Sequence, residues 1–279
     1  MRYWMVFGFA WLGMATCVAA VEPGHTLVWA DEFDAPGRPD PAKWGYEEGF
    51  VRNNEAQYYT KDRPENARVE NGVLVIEARR EQFPNPAYRE GARDWKGSRV
   101  AADYTSASVT TRGKASWTYG RVEVRAKLPM GRGMWPAIWM LGTNIGEVGW
   151  PKCGEIDIME HVGFEPNTIH ANVHMEKYNH AIGTGKGAKT TLEDPHLDFH
   201  VYALEWTDQE LRFFVDDTEY FVFKNEGTGS DVWPFDKPHY LILNIAVGGA
   251  WGAQKGIDDS IFPQRMEVDY VRVYRLAGR

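Results

Sequence analysis

The chain has 279 residues, 43% of them hydrophobic and 25% charged, with a formal charge of −8. That length supports one large core or two modest ones, and the composition excludes a disordered chain. Without Arg2, 30 basic residues face 39 acidic ones, a balance of −9 that argues against nucleic acid or a sulfated polyanion as partner and suits a neutral ligand.

Residues 1–20, MRYWMVFGFAWLGMATCVAA, carry one early Arg2, an apolar stretch and a small-residue end. That order reads as a secretory signal rather than a membrane span or a buried helix, which would bring a polar face or a cap. A secreted, periplasmic or cell-surface protein is expected, with its fold beginning near Val21. Cys17 allows lipidation of the bacterial lipoprotein kind, although Thr16 before it is larger than that chemistry favours. Cleavage beyond Cys17 leaves Cys153 as the only thiol, so packing rather than a disulfide framework must stabilise the fold.

From there, strand-length runs recur to the end of the chain. They are HTLVWADEF, GVLVIEARR, SASVTT, GRVEVRAKL, PAIWML, EIDIME, TIHANVHM, FHVYALEW, LRFFV, EYFVF, YLILNIAVG and MEVDYVRVYR, separated by stretches rich in Gly, Pro, Asn and Asp. No window holds a capped 3.6-residue period. LRFFV and EYFVF around Asp216 and Asp217 predict a tight hairpin. Twelve or so strands without a linker or repeat predict one domain over 21–279, an all-β sandwich of two antiparallel sheets. Two irregular stretches, 81–105 and 179–199, are long enough to form the walls of a cleft.

GEIDIMEH, residues 154–161, holds the chemistry. On a regular strand Glu155 and Asp157 share a face and Glu160 points the other way. Glu160 joins them only if one residue, here assigned to Met159, is absorbed in a β-bulge. Glu155 and Glu160 then lie about 13 Å apart along the strand. Side chains that lean together leave about 5 to 6 Å between carboxyl groups, the retaining geometry of glycoside hydrolysis; inversion needs about 6.5 to 9.5 Å. With Asp157 between them, one of the three must hold a proton at neutral pH, as a general acid requires. An isolated E-x-D pattern also fits a merely solvated strand face.

The surroundings favour the chemical reading. Trp135 and Trp139 fall on one face of a strand, Trp150 lies five residues before Glu155, and Asn53 with Asn54 in RNNEAQYYT offers planar polar groups to sugar hydroxyls. Some of the twelve tryptophans belong to the core, Trp29 and Trp206 among them, with Trp139 open to either role. His170, His174 and His180 suggest a zinc site, but His170 and His174 on one strand are about 13 Å apart, too far to share an ion. His174, on the strand after the acidic one, is placed to hydrogen-bond sugar or acid.

The chain resembles glycoside hydrolase family 16 in its laminarinase and β-1,3(4)-glucanase branch, through WADEFD, NNEAQYYT, YGRVEVRAKLP, GMWPAIWML, GWPKCGEIDIME, NVHMEKYNH, GGAWG and FPQRMEVDYVRVY. The resemblance implies a concanavalin A-like β-jelly roll with a glucan cleft across its concave sheet. It implies Glu155 as nucleophile, Asp157 as its partner and Glu160 as acid/base, with no cofactor needed for catalysis. It also implies a structural calcium involving Glu32, Gly72 and Asp269, a thin donor set for an ion that takes six to eight oxygens. The chain departs from the branch at Ala253, where GGAWGA lacks a further Gly.

The expected protein is a monomeric, secreted, retaining endo-β-glucanase acting on internal β-1,3 or mixed β-1,3/1,4 linkages, with no membrane span and a β-glucan as its partner. An agarase-like galactanase of the same family and a noncatalytic glucan-binding lectin are the alternatives. A xyloglucan transglycosylase is disfavoured by the extra residue in the acidic motif.

Overall fold

Seventeen strands build the fold of this computed structural model, which describes residues 24–276; residues 1–20, where a signal is expected, and Cys17 lie outside them. The first seven are β1 (Thr26–Asp31), β2 (Gly45–Tyr46), β3 (Gln57–Tyr59), β4 (Ala67–Glu70), β5 (Val73–Pro84), β6 (Ala101–Ser106) and β7 (Ser108–Thr110). The middle five are β8 (Gly120–Lys127), β9 (Met134–Gly142), β10 (Glu155–Glu160), β11 (Thr168–His174) and β12 (Lys186–Thr191). The last five are β13 (His200–Trp206), β14 (Glu210–Val215), β15 (Thr218–Lys224), β16 (His239–Val247) and β17 (Gln264–Arg275).

They form two sheets. The ten-stranded sheet runs β15-β14-β13-β8-β17-β5-β6-β3, with β1 added on β17 and β4 on β5; the seven-stranded sheet runs β12-β11-β10-β9-β16-β7-β2. Runs of chain-order neighbours, β9 to β12 and β13 to β15, are joined by long crossovers that set β8 beside β17 and β9 beside β16, as in a jelly roll. Strand alternation decides what lies between the sheets. In β8, Val122, Val124 and Ala126 are buried while Arg121, Glu123, Arg125 and Lys127 face outward. β16 breaks that alternation because both of its faces are covered: Leu241, Leu243, Ile245 and Val247 enter the main core, while Tyr240 and Ile242 join a second cluster with Trp139, Leu141 and Cys153. A strand at the centre of a sheet with something above and below reads as a continuous apolar run.

All twelve runs named from the sequence fall on strands, and Val215 pairs with Thr218 across the two-residue Asp216-Asp217 turn. Three features differ from expectation. The sheets are not wholly antiparallel, since β3 pairs with β6 in parallel. The stretch 179–199 is not all irregular, because KGAKTT forms the edge strand β12. An edge strand with one exposed and one half-buried face needs no large apolar residue, so periodicity does not reveal it. The stretch 81–105 reduces to a loop over 85–100. Trp95 from this loop packs edge-on against Phe50, and Arg99 donates to the Glu55 carbonyl at 2.7 Å.

At the residues nominated for calcium, Arg272 donates to both Glu32 carboxylate oxygens at 2.8 Å, and Arg125 takes the Asp269 carboxylate at 2.6 Å. Gly72 has only its carbonyl to offer an ion that also takes backbone oxygens.

Candidate active site

The acidic strand β10 carries a β-bulge. Against β9 the register passes from Asp157 opposite Trp139 to Met159 opposite Ile138, leaving Ile158 without a partner. Against β11 it passes from Asp157 opposite Asn172 to Glu160 opposite His170, so three steps of β10 face two. The unpaired residue on the β9 side is therefore Ile158 rather than Met159, and both side chains enter the core fully buried. Two consecutive apolar side chains on one side carry Glu160 back to the face of Glu155 and Asp157.

Each outer acid accepts an indole N–H. Trp150 Nε1 donates to Glu155 Oε2 at 2.8 Å, and Trp135 Nε1 donates to Glu160 Oε1 at 3.0 Å. Asn172, on the neighbouring strand β11, donates to the other oxygen of Glu160 at 2.7 Å. Asp157 lies between, nearly fully buried, with His174 Nε2 at 3.4 Å from its Oδ2 and 3.9 Å from Glu155 Oε1.

Burial and mutual repulsion push protons onto this cluster. Glu155 is pushed up to about 7 by burial and then by the Glu160 charge, against the pull of the Trp150 donor, Arg52 and a hydrogen bond with Asp157. Asp157 goes well above the carboxylate range, through burial and then the charges of Glu155 and Glu160. Glu160 is raised by burial, opposed by its Asn172 and Trp135 donors. Asp157 has the least hydrogen-bond support for a negative charge, so it keeps the proton most firmly and shares it with Glu155. His174 is pushed down to about 4 by burial and by His180, and is neutral beside the acids.

Aromatic and imidazole rings gather at both ends of β10. Beside Glu155, Trp150 lies 5.1 Å from His180 and 6.1 Å from His174 between ring centroids. Beside Glu160, Trp251 lies 5.6 Å from Trp135 and 4.9 Å from His170, edge to face with each. Trp251 sits on α1 (Gly249–Gly252), held where Ala250 N–H donates to the Asn53 carbonyl at 2.9 Å. Asn53 is exposed in a turn with φ 54°, and its amide leans on Glu55 at 3.3 Å. It thus borders the Glu160 wall. Trp139 is a floor residue: it is 6% exposed, its N–H binds Asn244 at 2.7 Å, and Arg52 lies 4.8 Å over its ring. That guanidinium covers one face of the ring.

Glu155, Asp157 and His174 are the acids and imidazole that converge, their ligand atoms within 4.8 Å of one another. His170 and His174 stand opposite Glu160 and Glu155, at opposite ends of the motif, and share no centre. Sequence reading passed over Trp251, Asn172 and Arg52, and weighed His170 only as a zinc ligand. Two signals were present: GGAWG places a tryptophan just after a buried strand, and His170, Asn172 and His174 alternate along TIHANVH.

The model of Glycosyl hydrolases family 16 matches residues 54–272. A beta-glucanase of Rhodothermus marinus is 54% identical over 262 residues, covering 91% of this chain and 86% of that protein. The X-ray structure of the laminarinase from Rhodothermus marinus aligns with a TM-score of 0.82 at 53% identity, over 91% of this chain and 98% of that one. A variant of SCLam, a non-specific endo-β-1,3(4)-glucanase co-crystallised with 1,3-β-D-cellotriosyl-glucose, aligns at 0.82 and 50% identity over 92% and 96% of the two chains.

Proposed function

The chain belongs to glycosyl hydrolase family 16, and from that premise we propose that it is a retaining endo-β-glucanase cutting internal β-1,3 or mixed β-1,3/1,4 glucan bonds. The observation that carries the reading is the bulge in β10, which sets Glu155 and Glu160 on one face, each with its own indole donor.

In this reading Glu155 attacks the anomeric carbon while Glu160 protonates the departing glycosidic oxygen; a glycosyl ester on Glu155 forms and the C–O bond to the leaving sugar breaks. Glu160, now ionised, takes a proton from water, whose oxygen attacks the same carbon from the opposite face and frees Glu155. Two inversions return the original anomer. Trp150 and the Asp157 proton stabilise negative charge on Glu155 when it leaves as a carboxylate. Trp135 and Asn172 do the same for Glu160 once it has given up its proton. Neutral His174 contributes no positive charge to the centre at neutral pH. The apolar segment 1–20 supports export, which N-terminal sequencing of the mature protein tests.

Proton NMR of laminarin hydrolysis reads the first-formed anomer, and retention is expected; an inverted product sinks the mechanism. The E155Q variant should lose turnover by about four orders of magnitude while still binding laminarin, as removal of a catalytic nucleophile generally does. Parallel digestion of laminarin, barley β-glucan and agarose, with product linkages determined, tests the substrate. Cleavage of agarose alone would transfer the protein to the galactanases.

A further inference from the structure

His180 belongs to the ring cluster beside Glu155, yet the chemistry above gives it no task. It opens a short 3-10 turn, His180–Ile182, on a loop that is firmly built. Asn179, 3% exposed, donates to the carbonyls of Met175 at 3.0 Å and Glu176 at 3.2 Å, and accepts from Ile182 N–H at 3.3 Å. Lys177 N–H anchors the same loop to the Asp231 carbonyl at 3.0 Å. A buried asparagine that makes three backbone bonds fixes the residue after it.

The imidazole of His180 is exposed, and neither ring nitrogen has a hydrogen-bond partner among the described residues. What orients it is ring contact: 5.1 Å and 38° to Trp150, 5.0 Å and 89° to His174. Trp150 is itself 37% exposed, and its N–H is committed to Glu155. The exposed part of Trp150 and the exposed His180 ring thus form one aromatic surface beside the nucleophile candidate.

We propose that Trp150 and His180 form one subsite for a β-linked glucosyl ring beside the scissile bond, with His180 as its specificity residue; this rests on the hydrolase reading above. Glucose in β linkage carries its ring substituents equatorially, so both faces present C–H groups that pack on aromatic carbon. An axial hydroxyl, as galactose has at C4, breaks that flatness on one face. His180, in contact with Trp150 at 5.1 Å, sets the position of the indole against which the flatter sugar packs.

Steady-state kinetics on laminarin with wild type, H180A, H180Q and H180F test the subsite. H180A and H180Q should raise KM about three- to tenfold, the scale of one lost aromatic contact, with kcat within about twofold. H180F should rescue KM, since it restores a ring without the nitrogens. An unchanged KM in H180A, a rescue by H180Q equal to that by H180F, a failure of H180F to rescue, or a loss confined to kcat overturns the proposal. The glutamine and phenylalanine variants decide the matter if alanine loosens the loop, which a thermal melt reveals. A wild type that cuts no β-glucan would sink the hydrolase reading; calorimetric affinity for laminarin in H180A and H180F against wild type would then still decide the subsite.

Discussion

The indole N–H of Trp150 reaches Glu155 Oε2 at 2.8 Å, so a ring that walls the cleft also stabilises the charge of the acid beneath it. The donor favours the ionised form and holds Glu155 below where burial and Glu160 would push it. In W150F the pKa of Glu155 rises above its present value of about 7. If Glu155 must be ionised to attack, the acid limb of kcat/KM moves to higher pH. A pH profile on laminarin checks this, and an unmoved or lowered limb contradicts it.

Asn172 serves Glu160 in the same sense. Its amide donates to Glu160 Oε2 at 2.7 Å and lowers the acid's pKa. N172A leaves that buried oxygen without its donor, at a cost of about 1–3 kcal/mol to the ionised form. Glu160 then stays protonated to higher pH, so the basic limb shifts upward. The step in which Glu160 acts as a base slows, since its charged state has lost support. Stopped-flow measurement with an activated aryl glucoside separates the two half-reactions and reads both effects.

The acid cluster makes stability depend on pH in the opposite direction to a salt-bridged carboxylate. Glu155, Asp157 and Glu160 all have folded-state pKa values above their unfolded ones. Their contribution to stability is complete below about pH 4, where both states are protonated, and is lost as pH climbs through the raised folded values. D157N removes the most penalised of the three. It should therefore melt at a higher temperature than wild type at pH 8, with the gap closing toward pH 4. A gap that widens on acidification would refute the sign, and a more stable but less active variant is the expected trade.

The bulge predicts a stability effect separable from the chemistry. Met159 is fully buried in the main core, so M159A should cost about 2–4 kcal/mol by denaturant unfolding. Backbone register, not the methionine side chain, directs Glu160, so much of the activity at 25 °C should survive. A cost below about 0.5 kcal/mol would mean that the bulge does not anchor in the core.

Most of the sandwich was legible because its strands alternate or run continuously apolar, and both patterns have a packing cause. The strand of Lys186–Thr191 was not, since at an edge nothing forces its residues to be apolar. The out-of-step Glu160 announced a bulge. Which residue lost its partner depended on the pairing with Met134–Gly142, and register across strands is tertiary information. Trp150 was picked out by its nearness to Glu155 and Trp135 by the strand face it shares with Trp139, whereas the stacking of Arg52 on Trp139 joins residues 87 positions apart and left no local trace. Trp251 was hidden inside a glycine-rich turn, where the glycines drew attention to backbone shape instead of to the ring between them.

The two ring clusters flank one strand and share one supplier, Thr168–His174, which sends His170 to the Glu160 group and His174 to the Glu155 group. The rest comes from different stretches: Trp150 and His180 at Glu155, and 53–55, 135 and 249–252 at Glu160. Evolution or an engineer can thus rewrite what is gripped on one flank of the cut while the other flank, and the cutting acids between them, stay as they are.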